Sequence, residues 1–192
     1  VGVEGDRKAA LRAATLAARR SLRTGERATA SQMVVERLVA LPELRDARVV
    51  LLYAALTEET DIGAVVAPLR ERGVRTLFPR VGGERLELVA ASDLRTLQLG
   101  YRGIHEPVGP AIDPSVVEAV IAPGVAFDPH GGRLGQGGGH FDRLLTTLPD
   151  TAVRVGVCFA CQVVPDVPRD PHDLPVDLVV TDRAVYRTGA RG

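Results

Sequence analysis

The chain of 192 residues has no tryptophan, one methionine and two cysteines, and aromatic residues make up only 4% of it. Two cysteines are too few for a disulfide framework. Cys158 and Cys161 have CxxC spacing but follow an apolar run, and no second CxxC exists, so they read as small core residues rather than a redox pair or half a zinc site. His105, His130, His140 and His172 are scattered, without the His-x-x-x-His spacing of a zinc helix. Formal net charge is +0, so nothing global draws the chain to nucleic acid or to an anionic membrane. No apolar run approaches transmembrane length. The Ala/Arg-rich start lacks an apolar h-region, so no signal peptide is expected and a cytoplasmic location is. Lysine is almost missing too. Of 24 basic residues, all but Lys8 are arginine. A position that stays lysine suits a compact ammonium where a planar fork does not fit, with chance retention as the competing explanation.

What is present is an ordinary globular mix, 45% apolar and 25% charged, long enough for one domain with a sizeable core. Residues 6–22 read as a helix capped by Asp6, with Ala9, Leu11, Thr15, Leu16 and Leu22 as a loose apolar stripe. Lys8 and Arg12 share one face near its start. Residues 28–40 predict a second helix, with Met33, Val34, Leu38 and Leu41 inward and Pro42 closing it. Apolar runs at 47–56, 74–81, 86–91, 116–127, 153–160 and 176–182 predict strands. Residues 57–73 begin with acids and end in Arg, Arg and Gly, which are helix start and stop signals, and 140–148 predict a further helix. Alternating strands and helices imply an α/β fold, a mostly parallel sheet with helices on both faces. The expected organisation is a single domain over 1–192, with 1–45 as an N-terminal helical segment packed on it.

The sharpest local feature is RLGQGGGHFDRLL, residues 133–145. Glycine costs backbone entropy when ordered, so four within five positions need a reason. Here they lie between a strand and the start of a helix. The first amides of a helix lack intrahelical partners, and glycines let an anion approach them. Arg133 and Arg143 flank this cradle, and Asp142 can hold a divalent cation that a triphosphate brings. The competing reading is a slack surface loop. No Lys-Ser or Lys-Thr follows, which excludes a P-loop, and Gly135-x-Gly137-x-x ends on His140, so the dinucleotide fingerprint also fails.

The stretch resembles the signature of the 5-formyltetrahydrofolate cyclo-ligase (methenyltetrahydrofolate synthetase) family, in which a Gly-rich G-x-G-G-G segment precedes two aromatics and Asp-Arg. Other segments resemble the same family in order. They are Lys8 with Leu11-Arg12, Tyr53 with Glu59-Thr60-Asp61, Pro79-Arg80-Val81, Gly103 to Pro107, Pro123 to Asp128 with Gly132 to Gly135, and Pro171-His172-Asp173. The resemblance implies a cyclo-ligase-like fold with Rossmann-like layering. It implies ATP- and Mg²⁺-dependent cyclisation of 5-formyltetrahydrofolate to 5,10-methenyltetrahydrofolate, with ADP and phosphate released after phosphorylation of the formyl oxygen. It carries over Lys8 and Arg133 as catalytic residues. Lys8, Arg12, Arg133, Leu134, Gly135, Gln136, Gly137, Gly138, Gly139, His140 and Phe141 would hold ATP. Tyr53, Glu59, Gly137 and Gly138 would hold the reduced folate, and Asp142 and Asp173 would hold Mg²⁺. A monomer or weak homodimer, with no nucleic-acid or membrane partner, is expected. The chain departs from the family at His140-Phe141, where an aromatic pair ending in Tyr is usual, and at Gln136, where Tyr or Arg is common. The His140-Phe141 departure motivates an alternative, a cyclo-ligase-like paralogue that binds nucleotide but acts on another substrate or serves as a regulator. Taken alone, Glu58-Glu59 read as an acidic first helical turn, Asp173 as turn chemistry, and Arg19, Arg20 and Arg23 as a solvated face.

Overall fold

The computed structural model describes residues 3–83, 85–170 and 173–189. His172, part of the late His-Asp match, lies outside them. The chain opens with α1 (Val3–Ser21), α2 (Thr24–Ala40) and the short α3 (Pro42–Arg45). Pro42 therefore starts α3 rather than only stopping α2, as its fixed φ and missing N–H allow at a first helical position.

The sheet follows. Its strands are β1 (Val49–Leu51), β2 (Arg75–Gly82) and β3 (Arg85–Ala90), and later β6 (Ala119–Pro123), β9 (Val153–Val157), β10 (Leu178–Val180) and β11 (Val185–Arg187). Between them lie the small pairs β4 (Gln98–Leu99) with β5 (His105–Glu106) and β7 (Ala126–Phe127) with β8 (Arg133–Leu134). Helix α4 (Val66–Glu71) joins β1 to β2, and α5 (His140–Leu145) joins β8 to β9. The seven-stranded order is β11-β10-β9-β6-β1-β2-β3. The inner strands β10, β9, β6, β1 and β2 are parallel, and β11 and β3 pair antiparallel at the edges. The expected α/β architecture with a mostly parallel sheet is what is found.

Alternation along the strands splits the core between two faces. Val50, Ala119, Ile121, Val155, Val157 and Leu178 face α2, α3 and α4, where Val34, Leu38, Leu44 and Leu69 cover them. Leu51, Leu77 and Val120 face the other way, under Leu144 and Leu145 of α5. Burying each such side chain stabilises the fold by roughly 1.5–3 kcal/mol. Gly156 leaves room for the Phe127 ring, which a Cβ there would strike.

The acidic segment departs from expectation. Residues 57–62 are not helical; a 3-10 turn runs over Gly63–Val65 and the α-helix begins only at Val66. The acids turn back on the local backbone instead. Glu59 accepts from the Leu56 amide at 3.1 Å and Asp61 from the Gly63 amide at 2.8 Å. Such local bonds compete with helix formation. Met33 is exposed and Val35 takes the inward position on α2. Arg19 is also not solvated. It is 4% exposed, with a guanidinium nitrogen 3.6 Å from Glu58 and no partner for its Nε. Cys158 is buried, but Cys161 is exposed rather than in the core. Burial pushes both thiols up, Cys158 the more strongly, which disfavours the reactive thiolate. No helix among the described residues is long and apolar enough to cross a membrane.

Candidate active site

Reading only the parallel strands in chain order, the sheet runs 2-1-3-4-5, with β1 and β6 adjacent at its centre. Connections leave these two in opposite directions, and in such sheets ligands bind beyond their carboxyl ends. A cavity of about 310 Å³ opens there. Tyr53, Ala54, Leu56 and Glu59, which follow β1, form one wall, and Pro123 and Gly124 close the end of β6. Gly135, Gln136, Gly138 and Gly139, with Arg133, His140, Phe141 and Asp142, form the opposite wall. Pro79, Val81 and Leu86 from the β2–β3 hairpin, with Tyr101, Ile104 and Glu106 around β5, complete an apolar side. This volume and mixture suit a small organic ligand held by a few polar groups.

The glycine loop has the backbone that its composition requires. Gly137 has φ 98° and Gly139 φ 63°, values that disfavour any side chain. At Gly135 an added Cβ would meet only ordinary contacts. Helix α5 is six residues rather than the expected nine-residue stretch, so its dipole adds little to the cradle and side chains must supply most of the charge. Arg12 reaches the loop from α1 and donates from Nε to the Gly135 carbonyl at 2.8 Å. Arg143 donates to the Gly138 carbonyl and lies 3.2 Å from His140 Nδ1.

Arg133 is almost wholly buried. It donates to the Pro123 carbonyl at 2.9 Å, bonds Asp142, and places its guanidinium 5.6 Å from the Phe141 ring centre. Its Nε has no partner. Phe141 is thus a platform for a cation, and its ring packs between both core clusters without a hydroxyl. Leu134 next door is core. Its side chain packs with Ala126, Val167 and Leu11, and its carbonyl is taken by the Val125 amide. Leu134 therefore lies behind the cavity wall, not in it.

Lys8 does not line the cavity. Its Nζ lies 2.7 Å from Oδ2 of both Asp170 and Asp173. Burial works against the ammonium, but these two carboxylates outweigh it and hold the Lys8 pKa above its ordinary value. Asp170 was not singled out by the sequence; its position three residues before Asp173 was the only signal. The carboxylates expected to bind metal are each engaged by a basic side chain, Asp142 by Arg133 and Asp173 by Lys8. Among the described residues, no three His, Cys, Asp or Glu side chains converge as a metal site.

On the β1 side, the Tyr53 hydroxyl donates to the Thr60 carbonyl at 2.5 Å. Burial, with the charges of Glu59 and Asp61 nearby, pushes this phenol well above its ordinary value, so it stays a neutral donor. Glu59 accepts from Gln136 Nε2 at 2.8 Å. The site is braced by Asp128, which is fully buried and accepts from the amides of His130, Gly132 and Val167 and from Arg169. Burial alone would raise its pKa; these donors outweigh that and lower it.

Comparison with known proteins gives this geometry its context. The family model for 5-formyltetrahydrofolate cyclo-ligases matches residues 4–182. The chain belongs to that family. It is 29% identical over 175 residues to the 5-formyltetrahydrofolate cyclo-ligase of Escherichia coli K12, covering 88% of this chain and 96% of that one. It is 30% identical over 160 residues to the cyclo-ligase of Haemophilus influenzae, covering 79% and 85%. The solved structure of Aquifex aeolicus 5,10-methenyltetrahydrofolate synthetase superposes with a TM-score of 0.84 at 36% identity, covering 94% of this chain and 92% of that one. The synthetase from Mycoplasma pneumoniae shares the fold, with a TM-score of 0.75 at 24% identity. The expected enzyme class, a cyclo-ligase, accords with these relatives, all named for ligase or synthetase activity.

Proposed function

We propose that this cyclo-ligase family member converts 5-formyltetrahydrofolate to 5,10-methenyltetrahydrofolate with ATP. The observation that carries the proposal is the two-sided cavity. One wall offers a carboxylate on a fixed turn, Glu59, and the other a glycine loop with Arg133 behind it. A reduced pterin suits the apolar side, and polyanionic phosphates suit the basic groups around the loop.

The chemistry follows from a poor leaving group. The formyl oxygen of an amide does not depart; as a phosphate ester it does. In the proposed sequence the formyl oxygen attacks the γ-phosphorus of ATP, an O–P bond forms, and ADP leaves. N10 of the folate then attacks the activated carbon and loses its proton, and phosphate departs as the ring closes. Phosphoryl transfer of this kind needs positioning and charge more than covalent help. Arg12, Arg133 and the 135–139 backbone would hold phosphates. Lys8 would move from its two aspartates to the transferring group, and Glu59 would orient the folate near its formyl group.

Asp142 and Asp173, each bound to a basic side chain, do not form a metal site as arranged. They are the carboxylates that would be released to a cation arriving with the triphosphate as Arg133 and Lys8 turn to phosphate. Incubation with 5-formyltetrahydrofolate, with and without ATP-Mg, tests the proposal. ATP-dependent growth of the methenyl chromophore is the expected result. Nucleotide binding with no response to folates would favour the non-folate paralogue that His140-Phe141 suggests.

A further inference from the structure

The two walls of the cavity come from chain segments far apart in sequence, and a side-chain bond joins Gln136 to Glu59 across it. Glu59 is held at both ends. Oε1 accepts from Gln136 Nε2 at 2.8 Å and Oε2 from the Leu56 amide at 3.1 Å. These bonds fix the plane of the carboxylate and leave each oxygen a lone pair for a ligand.

The two segments are anchored differently. The β1 side is tied down by the Tyr53–Thr60 bond and by the Asp61 amide donating to Ser31 Oγ at 3.1 Å. The loop is pinned before the bridge, where Arg12 holds the Gly135 carbonyl. Beyond Gln136 it runs through Gly137 and Gly139, both at positive φ, and the exposed Arg143 side chain holds the Gly138 carbonyl at 3.3 Å. Gln136 is therefore the point where the glycine loop touches a carboxylate held from the β1 side.

We propose that Gln136 is a positioning residue that couples the two binding events. Phosphate on the loop selects the loop conformation that presents Gln136 to Glu59, and this sets Glu59 for the folate. Folate on Glu59 favours the same conformation and so favours phosphate, because linkage is reciprocal. The amide is neutral, so it aims Glu59 without cancelling its charge. The coupling rests on the functional reading above.

Calorimetry on the intact protein tests it. Binding of 5-formyltetrahydrofolate is measured alone and with a non-hydrolysable ATP analogue plus Mg²⁺, and the ratio of the two affinities is the readout. The wild type is expected to bind folate at least about 5-fold more tightly with the analogue, the lower end of common coupling factors. Gln136→Ala is expected to bring that ratio to about one, whatever happens to each affinity alone, because the linking contact is gone. Gln136→Glu, which keeps the length but sets an acceptor in place of the donor to Glu59, is expected to lose it in the same way. A merely loosened loop would weaken both ligands and keep the ratio; that result for Gln136→Ala overturns the proposal, as does a wild-type ratio of one. A wild type that binds neither ligand overturns the functional reading itself, and the coupling with it.

Discussion

Lys8 Nζ lies 2.7 Å from Asp173 Oδ2, so the only lysine of the chain is paired with a residue expected to bind metal. The sequence led to separate tasks for them, phosphate for Lys8 and cation for Asp173. In the structure each satisfies the other, and Asp170 shares the ammonium. A lysine held this way can swing to a phosphate on a flexible stem, which a guanidinium fork would do less freely.

Lys8→Ala should therefore lower ATP-dependent turnover by about 10²- to 10³-fold, the usual loss when one donor to developing negative charge is removed. Lys8→Arg should recover little of it. Initial rates at saturating ATP and folate check both; a normal rate for Lys8→Ala would remove the assignment.

Arg133→Ala removes a buried cation bonded to the Pro123 carbonyl and Asp142. It should lower unfolding stability by about 1–3 kcal/mol, because a charged hydrogen-bonding group is lost from the core. Turnover should fall by more than the stability loss explains. Urea midpoints and rates measured on the same preparations separate the two effects.

Much of this was readable from residue order. The apolar runs gave the five inner strands, because buried parallel strands carry little else. The glycine run gave the loop, since Gly137 and Gly139 need positive φ. Other features were not readable. The acids at 58–61 imitate a helix start, yet their carboxylates fold back on the amides of Leu56 and Gly63. The solvated face expected for Arg19 fails because Glu58, on a distant turn, approaches it. The Lys8–Asp170 contact spans 162 positions, and no local pattern announces such a pairing.

Gly139→Ala tests the backbone of the loop. The residue has φ 63°, which costs an L side chain about 1–2 kcal/mol. The expected outcome is a higher KM for ATP with the KM for folate less affected, measured by varying one substrate at a time.

Asp128→Asn should cost about 1.5–3 kcal/mol at neutral pH, the range for hydrogen bonds to a charged group. The folded pKa of Asp128 is lowered, so its contribution is present above the ordinary aspartate value and is lost as pH falls through the folded one. The gap in stability between wild type and variant should therefore close on acidification. Chemical denaturation at neutral pH and near pH 3 measures it, and a gap that widened in acid would contradict the assigned role.

The most direct test of the account is the formation of the methenyl chromophore by the purified, folded protein from 5-formyltetrahydrofolate, with and without ATP. The expected result is absorbance growth that requires ATP and is matched by release of one ADP and one phosphate for each product formed. No chromophore at saturating reagents from folded protein would contradict it.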